Sequence, residues 1–247
     1  MNPFRIRETQ SGRKARASSY HGGHVLRGVR MFNNLPKGTQ ALLWINGGVF
    51  LLQWLIGDNA FVPFLLWPLS DVASQIGGMD GLPVGASFMP WQLVTYSFLH
   101  ASFGHLFFNM FALLMFGAPL EYTWGIKRFL SYYFVCVVGA GLTYLGWAEL
   151  MHISDPVLGA SGGVFGLLLA YGMLFPKQRV MLLFPPIPMS ARTLVIGYGA
   201  LELILGVTGA GGNVAHFAHL GGMLFGWLMI RYWRGQPPFP RKPGIRR

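Results

Sequence analysis

The feature that most constrains this chain is a series of apolar runs long enough to cross a bilayer, joined by basic connections. A spanning helix needs about 20 mostly apolar residues. Runs of that kind, with soft ends, lie at 40–57, 105–120, 128–149, 157–176, 193–209 and 214–233. Lipid offers nothing to pair an irregular backbone's N–H and C=O groups, so these runs predict an all-α membrane protein. Composition agrees: only 11% of the 247 residues are charged, where a soluble domain carries about a quarter. The run Phe61–Leu69 is too short and is broken by Pro63 and Pro68. It is expected to lie in the interface with Trp67 at headgroup depth, and Val180–Pro188 likewise.

The positions of the 19 Lys and Arg residues test the six-span count. Arg5, Arg7, Arg13, Lys14, Arg16, Arg27, Arg30 and Lys37 precede the first span. Lys127 and Arg128 follow the second, and Lys177, Arg179 and Arg192 follow the fourth. Arg231, Arg234, Arg241, Lys242, Arg246 and Arg247 close the chain. All fall on one side of a six-span model, while Asp58, Asp71, Asp80, Glu149 and Asp155 fall on the other. A wrong count would scatter them. The positive-inside rule then places both termini in the cytoplasm, with a plasma or inner membrane expected.

Three regions follow: a basic, disordered arm (1–39), a six-helix membrane domain (40–233) and a basic Pro-rich tail (234–247). The arm has no apolar core of the kind a signal peptide needs. It suits an anionic lipid surface, and no base-reading motif accompanies it, so nucleic acid is not an expected partner. Most of the net charge of +11 is an orientation signal. One cysteine, Cys136, excludes an internal disulfide framework and a cysteine zinc site.

Candidate chemistry begins at Gly159-Ala-Ser-Gly-Gly163, where Ser161 stands among small residues at the head of an apolar run. A serine so placed in a membrane helix is ordinarily a packing device. It changes meaning beside Ala218-His-Leu-Gly-Gly222, which sets His219 at the start of the last span. A serine hydroxyl needs a base to become a nucleophile, and a neutral imidazole suits a partly desolvated site. Gly162, Gly166 and Ala170 make one small-residue stripe; Ala218, Gly222 and Gly226 make another. Such stripes let helices approach closely in lipid, and each candidate borders its stripe. Phe165, four residues past Ser161 on the same face, is placed to pack on the imidazole. His105 and Asn109 share a face of the second span and, with the Ser161 N–H, are candidate oxyanion donors. Glu202, the one acid within a span, is read as too deep to orient His219 and as a protonated, hydrogen-bonded structural carboxyl. The expectation is therefore a Ser–His dyad.

In these residues the chain resembles the rhomboid family of intramembrane serine proteases, over about residues 40 to 233. Gly159, Ser161 and Gly162 match its G-x-S-G motif; Ala218, His219, Gly222 and Gly226 match A-H-x-x-G-x-x-x-G. His105 and Asn109 match H-x-x-x-N, preceded by the similar stretch Trp91–His100, and Glu121 and Gly125 match after the second span. Phe165 stands where the family often has Tyr, and Gln92 follows Trp91 where many members have Trp-Arg. The resemblance implies a six-transmembrane-helix rhomboid-like bundle, with Ser161 as nucleophile, His219 as base, and Ser161 N–H, His105 and Asn109 at the oxyanion. It implies cleavage of transmembrane protein substrates near the outer leaflet without metal or cofactor.

Other readings stand beside it. His216 is a rival base, and His100 is read as a loop or structural residue. A histidine metal site has no His-Glu-x-x-His and no carboxylate pair to support it. A catalytically inactive relative that binds or escorts membrane clients would use the same fold. A small transporter would call for an inverted repeat or broken helix. Neither oligomeric state nor substrate identity follows from the residues.

Overall fold

The computed structural model describes residues 35–69, 87–181, 186–209 and 213–239, without the side chains of 213–215. The arm up to residue 34, Asp71, Asp80 and the tail beyond residue 239 lie outside the described residues.

Among the described residues six long helices form the bundle: α1 (Lys37–Ile56), α2 (Phe103–Trp124), α3 (Ile126–Met151), α4 (Ser161–Leu174), α5 (Ala191–Thr208) and α6 (Asn213–Arg234). Among the described residues α1, α2, α3 and α5 are long and apolar enough to span a bilayer. The described ends fall within a few residues of those expected, except at α4.

Local chemistry explains where the helices begin. Ser102 Oγ accepts the His105 N–H (3.1 Å) and Ser190 Oγ the Thr193 N–H (3.2 Å), side-chain caps that start α2 and α5. α1 starts earlier than its apolar run. Glu121 of α2 accepts the N–H groups of Gly38 (2.8 Å) and Thr39 (2.6 Å) and the Thr39 hydroxyl (2.8 Å). A carboxylate at a helix N-terminus satisfies orphan donors and meets the positive end of the helix dipole.

α3 is the central post. Its Phe129, Tyr132, Tyr133, Cys136, Val137, Ala140 and Tyr144 are fully buried, recurring at the three- and four-residue spacing of a helix face. α6 packs chiefly on α3 and α4. The glycine stripes meet where Gly222 approaches α4: a Cβ there would run into the Gly162 carbonyl, while one on Gly166 would run into Cys136 of α3.

α4 differs from its expected span 157–176. At 14 residues it rises about 21 Å, well short of the roughly 30 Å hydrocarbon core. The preceding segment is extended and tied inward. Val157 and Leu66 exchange backbone hydrogen bonds (3.0 and 3.1 Å), the Gly159 N–H donates to Tyr96 O (2.9 Å), and the Tyr144 hydroxyl donates to Asp155 O (2.7 Å). Ser161 therefore opens a helix inside the bundle rather than at its rim.

Two expected interfacial segments have more structure than their composition suggests. Asp58–Phe64 forms a 3₁₀ turn, after which Trp67 turns inward and donates its indole N–H to Val62 O (2.9 Å). Trp67 is buried within the protein; its indole N–H meets a protein acceptor, as a buried Trp requires. Gln92 staples the same loop: its Oε1 accepts the Trp67 N–H (3.2 Å), and its Nε2 donates to Pro63 O (3.1 Å) and Ser87 O (2.9 Å). Strands β1 (Arg179–Met181) and β2 (Pro188–Ser190) pair antiparallel with Val180 opposite Met189, a hairpin between α4 and α5.

Candidate active site

Ser161 is the first residue of α4 and His219 lies in the second turn of α6. The close contact at Gly162 and Gly222 brings them together: Ser161 Oγ and His219 Nε2 are 2.7 Å apart. A hydroxyl held against an imidazole nitrogen is the arrangement proton transfer to a base requires. Phe165 covers the imidazole face, ring centroids 4.3 Å apart and planes within 8°. Tyr198 of α5 stands edge-on to Phe165 (6.2 Å, 71°). The sequence reading passed over Tyr198, because one aromatic in an apolar run carries no signal of its own.

His105 and Asn109 face the same space. His105 Nδ1 accepts the Ala101 N–H at a long 3.4 Å, which leaves Nε2 as the protonated nitrogen. Asn109 is buried, and its Nδ2 donates to His105 O (3.0 Å), leaving a second amide hydrogen. Gly159 has φ +127°, where a side chain is strained, and a Cβ there would lie 2.7 Å from His105 Cε1 and Nε2. Glycine is thus required for the imidazole to reach the serine's end of α4. His100 packs edge-on against His105 (5.0 Å), outside the cavity wall.

These groups open into a cavity of about 530 Å³ lined by His105, Asn109, Ser161 and His219 at its polar end. The remainder is apolar, with Phe108, Met115 and Phe116 from α2 facing Leu194 and Tyr198 from α5. Met115 and Phe116 belong to a π turn, Leu113–Gly117, inside α2, a local widening often met at functional sites.

One sequence expectation fails. Glu202 is not too deep: its Oε2 lies 3.0 Å from His219 Nδ1 and 2.7 Å from His216 Nδ1. The expected span 157–176 sets Ser161 one turn inside its helix, whereas the observed helix begins at Ser161 itself. With α4 starting inside the bundle, a carboxyl in the body of α5 is level with the imidazole. His216 does not replace His219 at the serine; its ring is 6.5 Å from that of His219, and it touches Glu202. Glu202, His216 and His219 also bring three ligand atoms within 4.8 Å of one another, a set of the type that holds a transition metal.

A family model for the rhomboid domain matches residues 87–235, which includes α2 to α6 and every candidate above. The chain belongs to the rhomboid family. It is 33% identical over 208 residues to Rhomboid protein 1, mitochondrial, of Saccharomyces cerevisiae, covering 81% of this chain and 56% of that protein. It is 29% identical over 206 residues to RHOMBOID-like protein 1 of Arabidopsis thaliana, covering 81% of this chain and 48% of that one. Rhomboid protease GlpG of Serratia proteamaculans is 28% identical over 235 residues, 93% of this chain and 73% of that protein. This rhomboid thus spans about half the length of the first two relatives. Family and apolar helices together make it a multi-pass helical membrane protein.

Proposed function

We propose that this rhomboid is an intramembrane serine endopeptidase, with Ser161 as nucleophile and His219 as general base. The observation that carries the reading is the 2.7 Å Ser161–His219 contact at the polar end of a cavity shared with His105 and Asn109. His219 Nε2 takes the hydroxyl proton as Ser161 Oγ attacks the scissile carbonyl, then returns it to the leaving amine. The developing oxyanion is met by the Ser161 N–H, the Asn109 amide and the His105 Nε2–H. Water then hydrolyses the acyl-enzyme with His219 again as base, and no cofactor takes part in either step. Membership of a family that includes a named protease, GlpG, supports the same reading.

Substrates on this reading are transmembrane segments. A folded helix hides its peptide bonds, so the substrate unwinds locally where it meets the polar end of the cavity. Lysines and arginines confined to one side of six spans support cytoplasmic termini and cleavage near the opposite face. The yeast relative is named as mitochondrial, so the proposal carries over a bilayer rather than the plasma membrane.

A fluorophosphonate probe tests it. Purified wild type in detergent is expected to label, Ser161→Ala to lose all labelling and His219→Ala nearly all. A folded wild type that neither labels nor cleaves single-span substrates would overturn the proposal in favour of a non-catalytic client-binding role.

A further inference from the structure

Glu202 and His216 have no part in a two-residue mechanism, yet they are built around its base. Glu202 is 7% exposed, on a helix whose neighbouring positions Leu201 and Leu203 face outward. A carboxyl in such a place is costly unless paired. Its Oε2 meets two imidazole nitrogens, both Nδ1, one from each of two residues a single turn apart on α6. With Glu202 ionised rather than protonated, its Oε2 accepts two hydrogen bonds and donates none, so both nitrogens act as N–H donors. With Nδ1 protonated, neutral His219 presents its Nε2 lone pair, and that is the nitrogen at Ser161. For His216, Nε2 is buried with no hydrogen-bond partner among the described residues, so its contact with Glu202 is its one polar tie.

We propose that Glu202 is a positioning residue for His219, holding the base in its Nδ1–H tautomer and correct rotation, and that His216 in turn holds Glu202. This deepens the proteolytic reading and rests on it: the site works as a Ser–His pair oriented by Glu202 and steadied by a second histidine rather than as a bare dyad. Glu202 and His216 touch no reacting atom. As the proton passes from Ser161 to Nε2 the imidazole becomes a cation, and the carboxylate beside Nδ1 stabilises that charge without accepting the proton.

The test uses the full-length protein in detergent, with Glu202→Gln, Glu202→Asp and His216→Gln beside wild type. Glutamine keeps size but presents an amide that favours the wrong tautomer, and kcat is expected to fall about a hundredfold or more with KM little changed. Aspartate keeps the charge at shorter reach and should recover most of that loss. His216→Gln should lower kcat about tenfold, the scale of one weakened hydrogen bond. Independently of turnover, ¹⁵N-histidine NMR should find His219 as the Nδ1–H tautomer in wild type and displaced from it in Glu202→Gln.

Wild-type turnover in Glu202→Gln, an Nε2–H His219 in the wild type, or Asp no better than Gln would each overturn the role of Glu202. Unchanged kcat in His216→Gln would overturn the role of His216. If Glu202→Gln fails to fold, the wild-type tautomer and the aspartate variant decide. A wild type that fails to react with fluorophosphonate defeats the protease reading instead, and the tautomer measurement still reports on the carboxyl.

Discussion

Phe165 is the residue that fixes the plane of the His219 ring. Its ring lies parallel to the His219 imidazole at 4.3 Å, and Tyr198 closes over its edge. Aromatic pairs of this kind contribute about 0.5–1.5 kcal/mol beyond area burial. Phe165→Ala is therefore expected to slow fluorophosphonate labelling about 2- to 10-fold, with Phe165→Tyr near wild type. Labelling as fast in the alanine variant as in wild type would remove Phe165 from the site. His100 acts on stability instead. Burial first, then the neighbouring His105, push its pKa down to about 4. The unfolded chain takes up this proton near pH 6.5 and the folded one only near pH 4, so stability falls as pH drops through that window. His100→Gln should flatten the Tm-against-pH curve there, and an unchanged slope would exclude the effect. The meeting of Ser161, His219 and Phe165 was legible because small-residue stripes and a four-residue repeat fix helix faces without coordinates. Glu202 was not. It is 17 residues from His219 across a helix reversal, and no periodicity links positions on two antiparallel helices.

Between elements, one contact decides whether the site assembles and a second holds the bundle without touching the site. α4 and α6 meet backbone to backbone, and a Cβ on Gly222 would overlap the Gly162 carbonyl. Gly222→Ala should lower Tm, on the scale of about 1–3 kcal/mol for overpacking, and should abolish labelling by parting Ser161 from His219. A variant that labels normally would show that the helices have room to spare. The second contact is the Glu121 cap on α1. No residue of α1 lines the cavity, so Glu121→Gln should lose stability, on the order of 1–3 kcal/mol, while Ser161 still labels. Loss of labelling at full stability would tie α1 to catalysis. Helix number, order and approximate ends were readable from hydropathy alone. The short α4 was not, because Val157 and Leu158 read as a continuation of its apolar run, whereas their backbone is held extended by Leu66 and Tyr96.

Across the whole molecule, charge placement makes the claim that is most open to direct test. The six-span reading puts both ends of the chain on one side of the bilayer and the segment around Asp71 and Asp80 on the other. In sealed vesicles exposing the non-cytoplasmic face, a membrane-impermeant maleimide is expected to react with Ser74→Cys and to spare Ser11→Cys and Gly244→Cys. Reaction at only one of the two ends would refute the span count, and reaction at both with Ser74→Cys protected would reverse the orientation. The native Cys136 is buried and should stay silent. The α4 helix that is too short to cross carries a consequence at this scale. On the proteolytic reading proposed above, a nucleophile at the head of this short helix would measure its target from the lipid surface, as a gauge does. In bilayers of longer or shorter acyl chains the same client helix would present a different rung to the blade, so membrane thickness itself becomes a determinant of where the product ends.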